Sequence, residues 1–99
     1  PAITFSEVLA ASDVPGGVVN LLTGSVEALA RWLSTHADVN ALDPTGAPEA
    51  LRPDLERDAA GTVKRVLPVR GEPDWFREPD ITRLRTFTET KTVWHPAGT

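Results

Sequence analysis

The stretch Val14-Pro15-Gly16-Gly17-Val18-Val19-Asn20-Leu21-Leu22-Thr23-Gly24 decides how this chain is read. Pro15-Gly16-Gly17 is a strong breaker, with glycines suited to a turn of positive φ. Residues 18–22 then form a continuous apolar run with β-branched members, the pattern of a strand buried on both faces of a parallel sheet. Thr23-Gly24 ends the run, and Ser25 is placed to cap a helix, with Glu27 suiting its positive end. A strand ending in Thr-Gly before a capped helix exposes backbone N–H groups where an anionic cofactor would sit. The G-x-G-x-x-G spacing of a dinucleotide fingerprint is absent, so spacing alone favours a turn plus a buried strand over a ligand site.

Working outward, the pattern alternates. Residues 3–11 read as a short helix with Ile3, Val8 and Leu9 apolar. Residues 25–36 form a second helix, whose Val26, Leu29, Ala30 and Leu33 share one face. A strand is expected over 38–42, then a turn at Asp43-Pro44-Thr45-Gly46. A third helix runs over 49–60, opened by Pro48 and burying Leu51, Leu55 and Ala59, with Gly61 as its C′ residue. Residues 62–69 read as a strand with Val63, Arg65, Leu67 and Val69 on one side. A loop over 71–79 carries Trp75 and Phe76. A helix from Pro79-Asp80 to about Thr88 and a strand over residues 91–95 complete the chain, and 96–99 are expected to fray. Such alternation favours right-handed βαβ units. The expected fold is α/β: a partial Rossmann-like three-layer segment with a small, mostly parallel sheet and a C-terminal tail strand. Residues 1–71 would be the cofactor-binding-type portion, and 72–99 a loop, short helix and association strand.

Composition narrows the chemistry. The chain has 99 residues, 40% apolar and 24% charged, which is ordinary for a folded soluble chain. A net charge of −4 argues against a nucleic-acid surface. Zero cysteines remove disulfides, thiolate nucleophiles and cysteine metal sites. His36 and His95 are too far apart in sequence to suggest a ligand pair. No metal site is expected. No apolar run is long enough to span a membrane, and no signal-peptide pattern opens the chain. The chain begins at Pro1, as a processed, trimmed or excerpted sequence would.

The polar clusters read as solvated surface. Glu49, Asp54, Glu56, Arg57 and Asp58 are expected on the outer face of the third helix, with Arg52 and Glu56 as an i,i+4 pair. Glu72, Asp74, Glu78 and Asp80 lack the regular oxygen-ligand spacing of a calcium loop. Trp75-Phe76 is open to two readings, a local cap on the sheet or a contact with another chain.

Taken together, these words resemble the aldehyde dehydrogenase superfamily. Its cofactor domain carries a Pro-Pro/Ala-Gly-Val-Val-Asn-Val-Val-Thr-Gly segment similar to residues 14–24. Further matches follow in order. Residues 37–46 resemble the family's strand and "FTGS" turn, residues 49–61 the helix after it, and Val63-Lys64-Arg65-Val66 the strand leading to "LELGG". Residues 88–94 resemble the family's C-terminal tail.

The resemblance implies NAD or NADP as cofactor, bound weakly, with Gly24, Ser25, Thr45 and Gly46 as the cofactor-binding residues. It also implies an association strand of Lys91, Thr92, Val93, Trp94 and His95 that meets another protein chain or makes a homo-oligomer. The departures are equally informative. There is no catalytic cysteine, Val69 falls at the "LELGG" glutamate, and Ala47 stands where the turn serine would be. Gly71 keeps one of the paired glycines and Glu72 replaces the other. The ribose-contacting lysine would precede Pro1, and the segment between the "LELGG" strand and the tail, which holds the catalytic domain, is missing. The resemblance therefore implies a cytoplasmic, non-catalytic subunit or part of an NAD(P)-dependent assembly, with no catalytic residue, no nucleic acid and no membrane. A weak NAD(P)-binding module and a fragment of an active dehydrogenase are the alternatives.

Overall fold

In the computed structural model, residues 1–71, 73–78 and 80–98 are described. Among these residues, four helices and one two-stranded parallel sheet make up the regular structure: α1 (Ala2–Ala10), α2 (Val26–Thr35), β1 (Ala41–Leu42), α3 (Arg52–Ala60), β2 (Arg65–Val66) and α4 (Ile81–Thr86). A 3-10 turn, Glu49–Leu51, leads into α3. The chain is therefore mostly helical, with its parallel character confined to β1 and β2.

The expected β–α–β unit is present in the middle of the chain. Ala41 is in register with Arg65 and Leu42 with Val66. The ladder is anchored by Arg65 N–H to Asn40 O at 3.1 Å and Leu67 N–H to Leu42 O at 3.0 Å. Helix α3 connects the two strands. Pro53 sits within the first two positions of α3, where its missing N–H costs little. Leu55 and Ala59 fall one turn apart and are 1% and 0% exposed, and with Ala47 and Leu67 they form the buried apolar centre. Leu51 is half-buried.

Helix α2 lies against α3 through a polar seam. Ser34 is fully buried, donating to Arg31 O at 3.0 Å and lying 3.5 Å from Asp58 Oδ2. Arg31 pairs with Asp54 at 2.9 Å. Asp54 and Asp58 are thus half-buried partners of α2, a correction to their expected place on an open face. Arg57 and Glu56 do remain on the surface.

Several expected elements take another form. Residues 18–22 are not a strand. Val18 N–H closes a turn on Pro15 O at 3.3 Å, Gly17 has φ +85°, and Asn20 Nδ2 donates back to Gly17 O at 2.9 Å. These local bonds compete with pairing, and the run remains exposed, Val18 at 66% and Leu22 at 65%. The strand expected over 62–69 shrinks to β2 because residues 61–63 are a turn that closes on α3. Its left-handed residue is Val63, φ 56°, while Gly61 is αR with φ −59°. Val63 is accordingly 89% exposed instead of sharing a face with Leu67.

Residues 91–95 also form no strand, since no described strand offers them backbone partners. The three-layer, mostly parallel expectation is thereby reduced to helices around one parallel pair. The expected start of α4 at Pro79, the Glu72 position and the last residue of the frayed end, Thr99, lie outside the described residues. Among the described residues, no helix is long and apolar enough to cross a membrane.

Much of the chain is not folded onto the α2–α3–sheet core. The radius of gyration is 16.9 Å, against about 13 Å for a close-packed chain of this length. Helix α1 buries no residue, leaving Ile3 and Val8 71% and 60% exposed.

Candidate functional site

Beyond the carboxyl ends of β1 and β2 lies an open cleft of about 540 Å³. This is the place where parallel α/β layers offer ligand space. Thr45, just after β1, and residues 67–71, just after β2, form one wall; Trp75 and Arg83 belong to the other. The turn at its base is held from below by Arg52. The Arg52 guanidinium donates from Nε to Ala47 O at 3.0 Å and from Nη2 to Thr45 O at 3.2 Å. Arg52 is 9% exposed and so is not the surface partner of Glu56 expected from the i,i+4 spacing.

Asp43 organises the rim. Its Oδ1 accepts from Thr45 N–H at 2.9 Å and from the Thr45 hydroxyl, and its Oδ2 pairs with Arg83. Arg83 also approaches Thr45 Oγ1 at 3.3 Å and lies 5.7 Å from the centre of the Trp75 ring, a cation–π distance. Partial burial pushes the Asp43 carboxyl up. The hydrogen bonds from Thr45 and the Arg83 charge outweigh it and hold the group below the usual carboxylate value.

The four residues expected to contact a cofactor are not brought to one surface. Thr45 lines the cleft, while Gly46 lines a separate apolar hollow of about 250 Å³ between α2 and the turn, together with Leu29, Leu33 and Leu42. Gly24 and Ser25 line neither of these. Ser25 occupies the N-cap of α2, as its sequence position suggests, but its hydroxyl donates to Glu27 Oε2 at 2.5 Å and makes no capping bond. That bond holds the Glu27 carboxyl below its ordinary value. Gly24 passes close over the helix: a Cβ there would sit 3.0 Å from Leu29 Cδ1.

Sequence reasoning missed Arg83, Asp43 and Arg52. The signal for Arg52 was available, since an arginine in register with Leu55 and Ala59 on a short helix points inward. Arg83 and Asp43 are forty residues apart, and nothing local couples them. Of the two aromatics, Trp75 joins the cleft wall at 70% exposure, whereas Phe76 is fully exposed. Asp74 and Asp80 are used in local turns, accepting from Phe76 N–H at 3.0 Å and Thr82 N–H at 2.9 Å. Among the described residues, no group of acidic or histidine side chains is gathered as a metal ligand set.

The chain is 35% identical over 65 residues to cytosolic 10-formyltetrahydrofolate dehydrogenase of Mus musculus and of Homo sapiens, and 32% identical over 65 residues to that of Xenopus tropicalis. Each match takes in 66% of this chain but only 7% of the relative's length. The similarity is therefore distant and at the level of a fragment. No protein-family profile matches the chain, and no solved structure matches it.

Proposed function

We propose that the chain is a non-catalytic, aldehyde-dehydrogenase-like segment that works as part of a larger NAD(P)-dependent assembly. The observation that carries this reading is the 35% identity over 65 residues to cytosolic 10-formyltetrahydrofolate dehydrogenase. The β1–α3–β2 unit supports it, since parallel strands joined by a helix are what a fragment of a cofactor-binding layer retains. The composition supplies the non-catalytic part. With no cysteine in the sequence, the chain has no thiolate to attack an aldehyde.

Association follows from the same reading. Helix α1, residues 18–22 and residues 91–95 all present apolar side chains to solvent, Trp94 at 82% exposure. Surfaces of this kind are completed by another chain or another copy. Residues 91–95, unpaired here, would add to a sheet edge in the partner through backbone hydrogen bonds. A cytoplasmic location belongs to the same proposal.

Weak NAD(P) binding is the second reading, favoured by the cleft beyond β1 and β2 and by Thr45 at its rim. Of the four residues, Thr45 is the one on this cleft; Gly46 lines the separate hollow beside α2, and Gly24 and Ser25 would contribute only through the N-terminus of α2. Aldehyde turnover and calorimetric titration separate the readings. The proposal expects no NAD-dependent aldehyde oxidation by the isolated chain, and clear turnover overturns it. Absence of heat at millimolar NAD and NADP removes the second reading and leaves the first.

A further inference from the structure

The two walls of the cleft are fastened very differently. Thr45 and Leu67 belong to the α2–α3–sheet core, and Leu67 is buried. Among the described residues, the opposite wall, Trp75 and Arg83, has little apolar burial to hold it, Phe87 at the end of α4 being 41% exposed. Helix α4 buries no residue, and its Ile81 and Leu84 are 59% and 69% exposed. Among the described residues, the hydrogen bonds from α4 to the core come from Arg83, reaching back across forty residues to Asp43 and to Thr45 Oγ1. Beyond α4, Arg65 and Glu89 add a loose contact at 4.0 Å.

We propose that α4, with Trp75 against its Arg83, forms a strap across the carboxyl ends of the sheet, with the Arg83–Asp43 pair as its latch. When the latch is closed, Trp75 and Arg83 complete the second wall and the cleft exists. When it opens, the core wall is left facing solvent and Asp43 keeps only its bonds to Thr45. The pair is half-exposed, with side chains 41% and 29% accessible. A pair of that exposure contributes little and is screened by salt, so the closed state is held only marginally. Access to the carboxyl-end cleft is therefore set by one charge pair. This inference goes beyond the proposed function and does not depend on whether a nucleotide binds.

Rapid-pulse hydrogen exchange with mass spectrometry on the full 99-residue chain tests it. Amides of residues 81–88 report the strap, and those of residues 52–66 report the core. Arg83→Gln is expected to speed exchange in the strap by about two- to fivefold while leaving the core unchanged. Raising KCl to about 1 M should have the same effect on the unsubstituted chain and none on the variant. The salt arm reads the latch without any substitution. Equal strap exchange in both chains, or faster exchange in strap and core alike, overturns the proposal.

Discussion

The Nε of Arg52 donates to the carbonyl of Ala47 at 3.0 Å, inside the fold, while its Nη2 reaches Thr45 O. One guanidinium thus ties the first turn of α3 to the loop that leaves β1 and fixes the rim of the cleft. Arg52→Leu fills similar space but strands two carbonyls. Hydrogen bonds from a charged donor are worth about 1.5–3 kcal/mol, and a loss in that range is expected in urea unfolding. Arg52→Lys, lacking the fork, should recover only part of it.

Leu55 is the largest apolar side chain that is fully buried. Leu55→Ala removes atoms from a small core with little capacity to collapse. A cost of about 2–5 kcal/mol is expected, a large share of the about 5–15 kcal/mol that holds a typical domain. A fall in the urea midpoint, monitored by helical circular dichroism, would report it. By contrast, Leu84→Ala on the exposed face of α4 should change stability little.

Val63 carries φ 56° on a β-branched side chain that is 89% exposed. The side chain contributes little packing, and the backbone is strained. Val63→Gly is expected to raise stability by about 1 kcal/mol, visible as a higher urea midpoint. This is a residue that sequence reading places wrongly. The Thr62–Val69 alternation suggests a strand, and Gly61 looks like the natural left-handed residue, yet the chain makes its left-handed turn two residues later.

That misplacement shows what was legible and what was not. The helices were legible through local signals: the apolar positions Ile3, Val8 and Leu9 in α1, the apolar face of α2, Pro48 ahead of Leu55 and Ala59 for α3, and Pro79-Asp80 as the start of α4. The β1–β2 pair was legible because α3 between them is short and well bounded. The strand expected over residues 18–22 failed because strand formation is non-local. The apolar run has no partner here, and the Gly17 turn with the Asn20 side chain satisfies part of its backbone instead. The cleft itself was not legible. Thr45 was expected only as part of the turn after the second strand, and its coupling through Asp43 to Arg83 is a tertiary fact without a local pattern.

The Asp43 carboxyl is held below its unfolded value of 3.8. A carboxyl depressed in the native state contributes stability that is fully present above the unfolded value. That contribution is lost as pH falls below 3.8 and through the lowered native value. Urea unfolding between pH 5 and the acid range, about pH 2.5, should therefore show a steeper decline for the natural chain than for Asp43→Asn. Above about pH 5 the two curves should run parallel.

Native mass spectrometry of the chain isolated from its source, beside its denatured intact mass, tests the central claim most directly. The account predicts that the 10.7 kDa chain travels with a larger companion or as a homo-oligomer, its exposed apolar faces covered. A monomer at 10.7 kDa across the working concentration range would contradict it.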